Sequence, residues 1–250
     1  MISVVMPTRD SERRLAQVLE SCRPFAEVVM LDNGSTDATF DIAARFPNVR
    51  VERYQGAEWP GIGRLLQMAA DIARHDWLLW LDSDEEITAE LAAVIAAEKL
   101  DPACIYVFRR VNLLAGEEVR HSGWSNDWTP RLFHRSAGRF SEDRAHPRVI
   151  APDAREVALA GTLRHYTFDS VDDFMRKAIW FSDRFAEQYR GKKRASAPKA
   201  LARSIATFLK LYFLKGGILD GYAGFLIAIS NAYGTLYKYL KLREANRRKS

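Results

Sequence analysis

The sequence predicts an α/β protein built on a mostly parallel sheet, followed by a helical C-terminal extension. Short apolar or β-branched runs alternate with amphipathic stretches of about ten to fifteen residues in the first hundred positions, the pattern of parallel strands with crossover helices. After about residue 100 the runs become hairpin-like. Beyond residue 168 the chain turns helical, basic and aromatic.

"ISVVMPT" reads as a buried first strand, and Ser11 is positioned to cap a helix whose Leu15, Val18, Leu19 and Cys22 fall at helical spacing. "EVVML" is a second strand that ends at Asp32. "DNGSTD" is turn chemistry, and Ser35 or Thr36 can cap the helix carrying Ile42, Ala43 and Phe46. "VRVERY" is a third strand, residues 62–74 a third helix, and "WLLWL" a fourth strand. "CIYVFRRVNLLAGEEVRHSG" then reads as strand, turn at Ala115-Gly116, strand, and "PRLFHRSAGRF" as a strand leading to a turn at Gly138. "SVDDFMRKAIWFSDRFAEQY" opens with Ser170 three residues before Asp173, a capping-box-like start. It places Val171, Phe174, Ala178, Phe181 and Phe185 on one helix face. "RGKKRASAPK" is a hinge. The expected division is a domain over residues 1–168 and an extension over 169–250.

The chain has 250 residues, 48% hydrophobic and 28% charged, the composition of a soluble globular protein. Cys22 and Cys104 form no metal or disulfide pattern and read as structural thiols in a reducing compartment. The N-terminus has no secretory pattern. The longest uncharged stretch near the C-terminus, residues 221–237, is interrupted by three glycines and is shorter than the roughly 18 to 20 apolar residues a spanning helix needs. From Arg190 onward fourteen Lys or Arg face two acids, a balance of +12, whereas the preceding residues carry −7. An acidic body with such a tail points to an anionic partner. The aromatics Phe208, Tyr212, Phe213, Phe225, Tyr233, Tyr237 and Tyr239 lie in apolar helical runs, which favours an anionic lipid surface over nucleic acid. A helix pair docked on the protein's own core, or a dimer contact, would use the same residues.

The chemistry concentrates in "WLLWLDSDEEIT", where Asp82, Asp84, Glu85 and Glu86 crowd at the end of a strand. Ligands of open parallel sheets bind beyond the carboxyl ends of the strands, where Asp32 and Asp82 both fall. On extended backbone the i, i+2 spacing points Asp82 and Asp84 the same way, roughly 6 to 7 Å apart, a separation suited to one hard divalent cation, Mg²⁺ or Mn²⁺, shared with phosphate oxygens. The alternative is a solvated turn, and Glu85, Glu86 and Glu90 are assigned to the acidic first turn of the next helix. Neither GxGxxG nor a P-loop is present to hold phosphates.

"ISVVMPTRDSERRL", "VVMLDNGSTDAT", "WLLWLDSDEEIT" and "RLFHR" together resemble an inverting family 2 glycosyltransferase of the GT-A fold. The nearest branch is the bacterial lipopolysaccharide inner-core β-glucosyltransferases, whose C-terminal region "LRHYTFDSVDDFMRKAIWFSDRFAEQYRGKK" also resembles. The resemblance implies transfer of a hexose, with inversion, from a UDP-glucose-like donor to a membrane-associated glycan such as lipopolysaccharide core; the basic tail adds the expectation of peripheral binding at the cytoplasmic face of the inner membrane. It places Pro7, Thr8 and Asp32 at the donor's nucleoside, Asp82 near ribose and metal, and Asp84 on the cation. His165 matches a position where the family commonly has histidine. The branch's polar third helix is reduced here to Arg64 and Gln67. Its His-Glu is replaced by His146-Pro147, which leaves Asp143 as first candidate for the general base, Glu142 as second and Asp127 as third. Trp124 and Trp128, flanking "SND", are assigned to packing rather than sugar stacking. Two other readings keep the motifs: the same fold with a polyprenyl-phosphate or protein acceptor, and a non-catalytic sugar-nucleotide-binding protein.

Overall fold

The computed structural model describes residues 1–124, 127–144 and 146–247. The chain divides into two compact units, one of Met1–Arg110 with Asn126–His165 and one of Val111–Ser125 with Tyr166–Ser250. In the first, strands β1 (Ile2–Thr8), β2 (Glu27–Asp32), β3 (Val49–Arg53) and β4 (Trp77–Trp80) are connected by helices α1 (Glu12–Ser21), α2 (Thr39–Ala43) and α3 (Ile62–Ile72). β1 runs parallel to β2 and β4, and β2 parallel to β3. The chain continues through β5 (Glu85–Ile87), α4 (Ala89–Ala97), β6 (Cys104–Leu114), β7 (Glu117–Val119), β8 (Asp127–His134), β9 (Arg139–Phe140), β10 (Val149–Ile150) and β11 (Arg155–Phe168). The sheet order is β3-β2-β1-β4-β8-β6-β11-β5 with β7 on β6, and β9 pairs with β10 apart from it. β8 is antiparallel to β4 and β6, and β5 antiparallel to β11.

The apolar runs in β1 and β2 are continuous because both sheet faces are covered. Val4, Met6, Val28 and Met30 pack with Leu15 and Leu19 of α1 on one face, while Val5, Val29 and Leu31 pack with Leu65, Leu66 and Ala69 of α3 on the other. Both cysteines are free and buried, and burial pushes the Cys22 thiol up to about 12, as befits an inert structural thiol.

The second unit adds α5 (Val171–Tyr189), α6 (Ala197–Leu209), a π-helical turn at Lys210–Leu214, a 3₁₀ turn at Gly217–Asp220 and α7 (Gly221–Arg247). Its core is small: Leu114, Val119, Phe174, Ala223, Leu226 and Ile227. Ser170 accepts a hydrogen bond from the Asp173 amide at 3.1 Å, as the capping pattern predicts.

Several local expectations are corrected. Ser11 precedes α1, yet its hydroxyl bonds Ser83 Oγ at 2.9 Å, and the Glu12 amide donates instead to Asp37 Oδ2 at 3.0 Å. Neither Ser35 nor Thr36 caps α2, which begins later; Ser35 is held by Asp32. Glu85 and Glu86 lie in β5 rather than in a helical first turn, which belongs to Glu90. The apolar stripe of α5 is only partly covered: Phe174 is buried, but Val171 and Phe181 are 42% and 50% exposed. Among the described residues no single helix is long and apolar enough to cross a membrane.

Candidate active site

The parallel register brings Thr8, the last residue of β1, opposite Asp32, the last residue of β2. Asp32 is 1% exposed, and its Oδ1 accepts the amides of Gly34 and Ser35, each at 2.9 Å, while Oδ2 accepts the Ser35 hydroxyl. The carboxylate thereby shapes the turn that the sequence signalled. Asp10 ties the facing loop to it, accepting the Thr36 amide at 2.8 Å and donating its own amide to Ser35 Oγ at 2.8 Å. Thr8 Oγ1 is buried beside Asp32 without a hydrogen-bond partner among the described residues. A buried unsatisfied hydroxyl is costly, so a polar ligand at this strand end would relieve it.

The acidic cluster is arranged differently from its spacing. Residues 81–84 leave the strand and turn, so the alternation of extended backbone does not apply. Asp82 faces β4 and β8: its Oδ1 accepts from Trp80 Nε1 at 2.9 Å, and its Oδ2 lies 3.6 Å from Arg131 Nη2. Asp84 faces β11, with Oδ2 3.6 Å from His165 Nε2. Between them Glu85 is wholly buried, accepting from Arg131 Nη2 at 2.5 Å, Arg110 Nη1 at 3.3 Å and the Asp82 amide at 3.1 Å. Burial pushes the Glu85 pKa up. Arg131 draws it back down, and Asp82 and Asp84 add to the rise. Burial disfavours charge on Arg110 too, yet Glu85 and Asp127 beside it hold its pKa above the ordinary value.

Among the described residues no group of three or more His, Cys, Asp or Glu could hold a metal ion by itself. Asp84 is 47% exposed, with Oδ2 3.6 Å from His165 Nε2; a cation bound there would draw its remaining ligands from phosphate oxygens.

The candidate bases occupy a different setting. Asp143 and Glu142 lie between β9 and β10. The Asp143 and Arg144 carbonyls accept the Gly63 and Ile62 amides, each at 3.1 Å, capping α3, which has no side-chain cap. This close seat explains the glycines of "GIG": a Cβ on Gly63 would lie 2.0 Å from the Ser141 carbonyl oxygen, and Gly61 has φ +97°. Asp143 Oδ1 accepts the His146 amide at 3.0 Å, while Glu142 is exposed. Asp127 is gripped by Arg110, with Oδ2 2.7 Å from Nη2 and 2.8 Å from Nε. Gln67 anchors β9 by accepting the Phe140 amide at 2.9 Å. Trp124 packs near Phe168 with ring centroids 6.4 Å apart, Trp128 is 42% exposed on β8, and Ser125 and Asn126 between them lie outside the described residues, as does Ala145.

The family model described as Glycosyl transferase family 2 matches residues 3–151. The chain belongs to that family. Its fold is accordingly GT-A, with the parallel strands β3-β2-β1-β4 forming one half of the sheet. An uncharacterized glycosyltransferase of Rickettsia typhi is 25% identical over 258 residues, covering 97% of this chain and 87% of the relative. The lipopolysaccharide core biosynthesis glycosyltransferase LpsC of Rhizobium meliloti is 26% identical over 241 residues, covering 92% of this chain and 86% of the relative. Among solved structures, S. aureus TarS 1-349 aligns with a TM-score of 0.46 at 16% identity, covering 99% of this chain and 90% of that one.

For a family 2 glycosyltransferase, the residue that the motifs passed over is Arg131. It is the largest fully buried side chain, its guanidinium lies 4.1 Å from the Trp80 ring centre, and Nη1 has no partner among the described residues. The signal was an arginine inside the apolar "RLF" run, where a charge is tolerated only when paired. Glu85, read as solvated, is its partner.

Proposed function

We propose that this family 2 glycosyltransferase moves a hexose, with inversion, from a UDP-glucose-like donor to a membrane-associated glycan such as lipopolysaccharide core. The observation that supports the donor half is that β1 and β2 end side by side at Thr8 and Asp32, with the turn carrying Asp82 and Asp84 following the neighbouring parallel strand β4. In this reading Pro7, Thr8 and Asp32 hold the nucleoside, Thr8 through its unsatisfied hydroxyl, and Asp82 approaches the ribose. Asp84, with His165 beside it, holds Mg²⁺ or Mn²⁺, which supplies charge neutralisation for the departing diphosphate. Asp143 or Glu142 takes the proton from the acceptor hydroxyl as that oxygen attacks the anomeric carbon.

The acceptor half is supported by the name of the Rhizobium relative and by the second unit. Residues 1–168 serve as the transferase domain and 169–250 bring it to the inner face of the membrane. Leu214, Leu219 and Tyr222 are 82%, 71% and 63% exposed near the bend between α6 and α7, beside Lys210 and Lys215. Exposed apolar side chains among lysines suit peripheral docking on anionic lipid.

Calorimetric titration with UDP tests the donor site: Asp32→Asn is expected to weaken UDP binding at least tenfold. Equal affinity in both proteins would remove Asp32 from the site.

A further inference from the structure

Helices α5 and α7 of the second unit border an open groove of about 460 Å³ whose lining includes Phe174, Ala178, Phe181, Phe185, Ser230 and Lys238. That volume falls in the range of small-ligand sites. Five aromatic rings line it among polar side chains that include Lys177 and Arg184, and Ser230 is 1% exposed with its hydroxyl lacking a hydrogen-bond partner among the described residues. Lys238, eight residues or about 12 Å further along α7, also lines a second groove of about 220 Å³ with Arg203, Lys210 and Tyr239. The two grooves thus share a cationic residue.

Around it the charges are unbalanced. Lys238 Nζ lies 5.3 Å from the Phe185 ring centre and 5.9 Å from that of Tyr239. Lys193 Nζ lies 5.6 Å from Phe185, and Lys199 Nζ and the Arg203 guanidinium lie 5.9 and 5.3 Å from Tyr239. None of these four cations has a carboxylate partner among the described residues; nearby Lys241 takes Asp183 for itself. Burial pushes the Lys238 pKa down, and Arg203 and Lys193 push it further. Lys238 is partly buried while Lys193, Lys199 and Arg203 are exposed, and four like charges gathered around two rings without a counter-ion favour the approach of an anion.

We infer that the second unit holds a binding site for a phosphorylated amphiphile, its chain lying along the α5–α7 groove and its phosphate among Lys193, Lys199, Arg203 and Lys238. The aromatic rings of the groove take an alkyl or prenyl chain by burial of apolar surface. The cations take the phosphate by charge-assisted hydrogen bonds. Neither the chain pocket alone nor the cations alone would select this ligand; their junction at Lys238 does. The site is separate from the donor chemistry of the first unit and reaches beyond general attraction to an anionic surface, because it recognises one molecule.

The test is calorimetric titration of the full chain with decyl phosphate, inorganic pyrophosphate and decyl maltoside, each below its aggregation concentration. Decyl phosphate is expected to bind at least tenfold more tightly than either other probe. Arg203→Ala with Lys238→Met should weaken decyl phosphate at least tenfold, and Phe181→Asn, at a half-exposed position, should weaken it several-fold while leaving pyrophosphate unchanged. UDP titrated into the same samples should bind alike in all of them, and thermal melts should coincide, so a failure here is distinct from a failure of the transferase reading. Equal affinity for pyrophosphate and decyl phosphate, no binding of decyl phosphate, or decyl phosphate binding untouched by the double substitution would each overturn the proposal.

Discussion

Arg131 Nη2 lies 2.5 Å from Glu85 Oε1, and both side chains are fully buried one strand from the acidic turn at Asp82. Two charges taken out of water repay that cost only when each completes the other's hydrogen bonding. This pair props the turn that carries Asp82 and Asp84, because Glu85 also accepts the Asp82 amide.

Breaking that pair from one side strands a buried charge. Arg131→Met is expected to cost about 3 to 5 kcal/mol of unfolding free energy, whereas Arg131→Met with Glu85→Leu should recover much of the loss. Urea denaturation of the three proteins measures it; a double variant as unstable as the single one would show that the pair is not the cause.

Asp84 tests the cation site. It is half exposed and not part of the buried pair, so Asp84→Asn should melt within a few degrees of the parent. Transfer should nevertheless fall roughly 10² to 10⁴-fold, at 1.4 kcal/mol per factor of ten. Unchanged turnover with unchanged metal requirement would remove Asp84 from the site.

For the base, Asp143→Asn should lower kcat while donor affinity stays near the parent's, since the acceptor proton moves only in the transition state. Glu142→Gln run beside it separates the two. If neither slows transfer, Asp127, held by Arg110, is tested next.

Glu27 sets an acid limit on stability. Burial alone would raise its pKa, but the Arg74 amide at 2.9 Å, the Ser3 hydroxyl at 2.7 Å and Arg50 at 3.2 Å bring it below the ordinary 4.5. A depressed folded-state pKa contributes stability that is present above the unfolded value and lost as pH falls through the folded one. Unfolding free energy should therefore decline below about pH 4.5, and Glu27→Gln should flatten that decline while lowering stability at pH 7. An unaltered pH profile in the variant would contradict this.

The parallel half of the fold was legible because its signals are local and periodic: β1, β2 and β4 are apolar runs ended by Thr8, Asp32 and the acidic turn. The site was legible only as residue types. What "DSDEE" concealed is set by pairing across the sheet, where β11 draws Glu85 and Glu86 into a strand and Arg131 arrives from β8. Spacing along the chain carries no record of such neighbours, so Glu85 read as solvated and the Asp82–Asp84 alternation read as extended. The α3 cap was hidden for the same reason. "GIG" names a close approach without saying that the backbone of residues 143 and 144 makes it.

The central claim is that the ends of β1, β2 and β4 bind a nucleotide-diphospho-sugar. Purified protein incubated with Mn²⁺ and a panel of nucleotide sugars, with release of nucleoside diphosphate followed over time, tests it most directly. Slow hydrolysis of a UDP-hexose above the others, abolished by chelating the cation and by Asp84→Asn, is the predicted result. Failure to bind or hydrolyse any nucleotide sugar would contradict it.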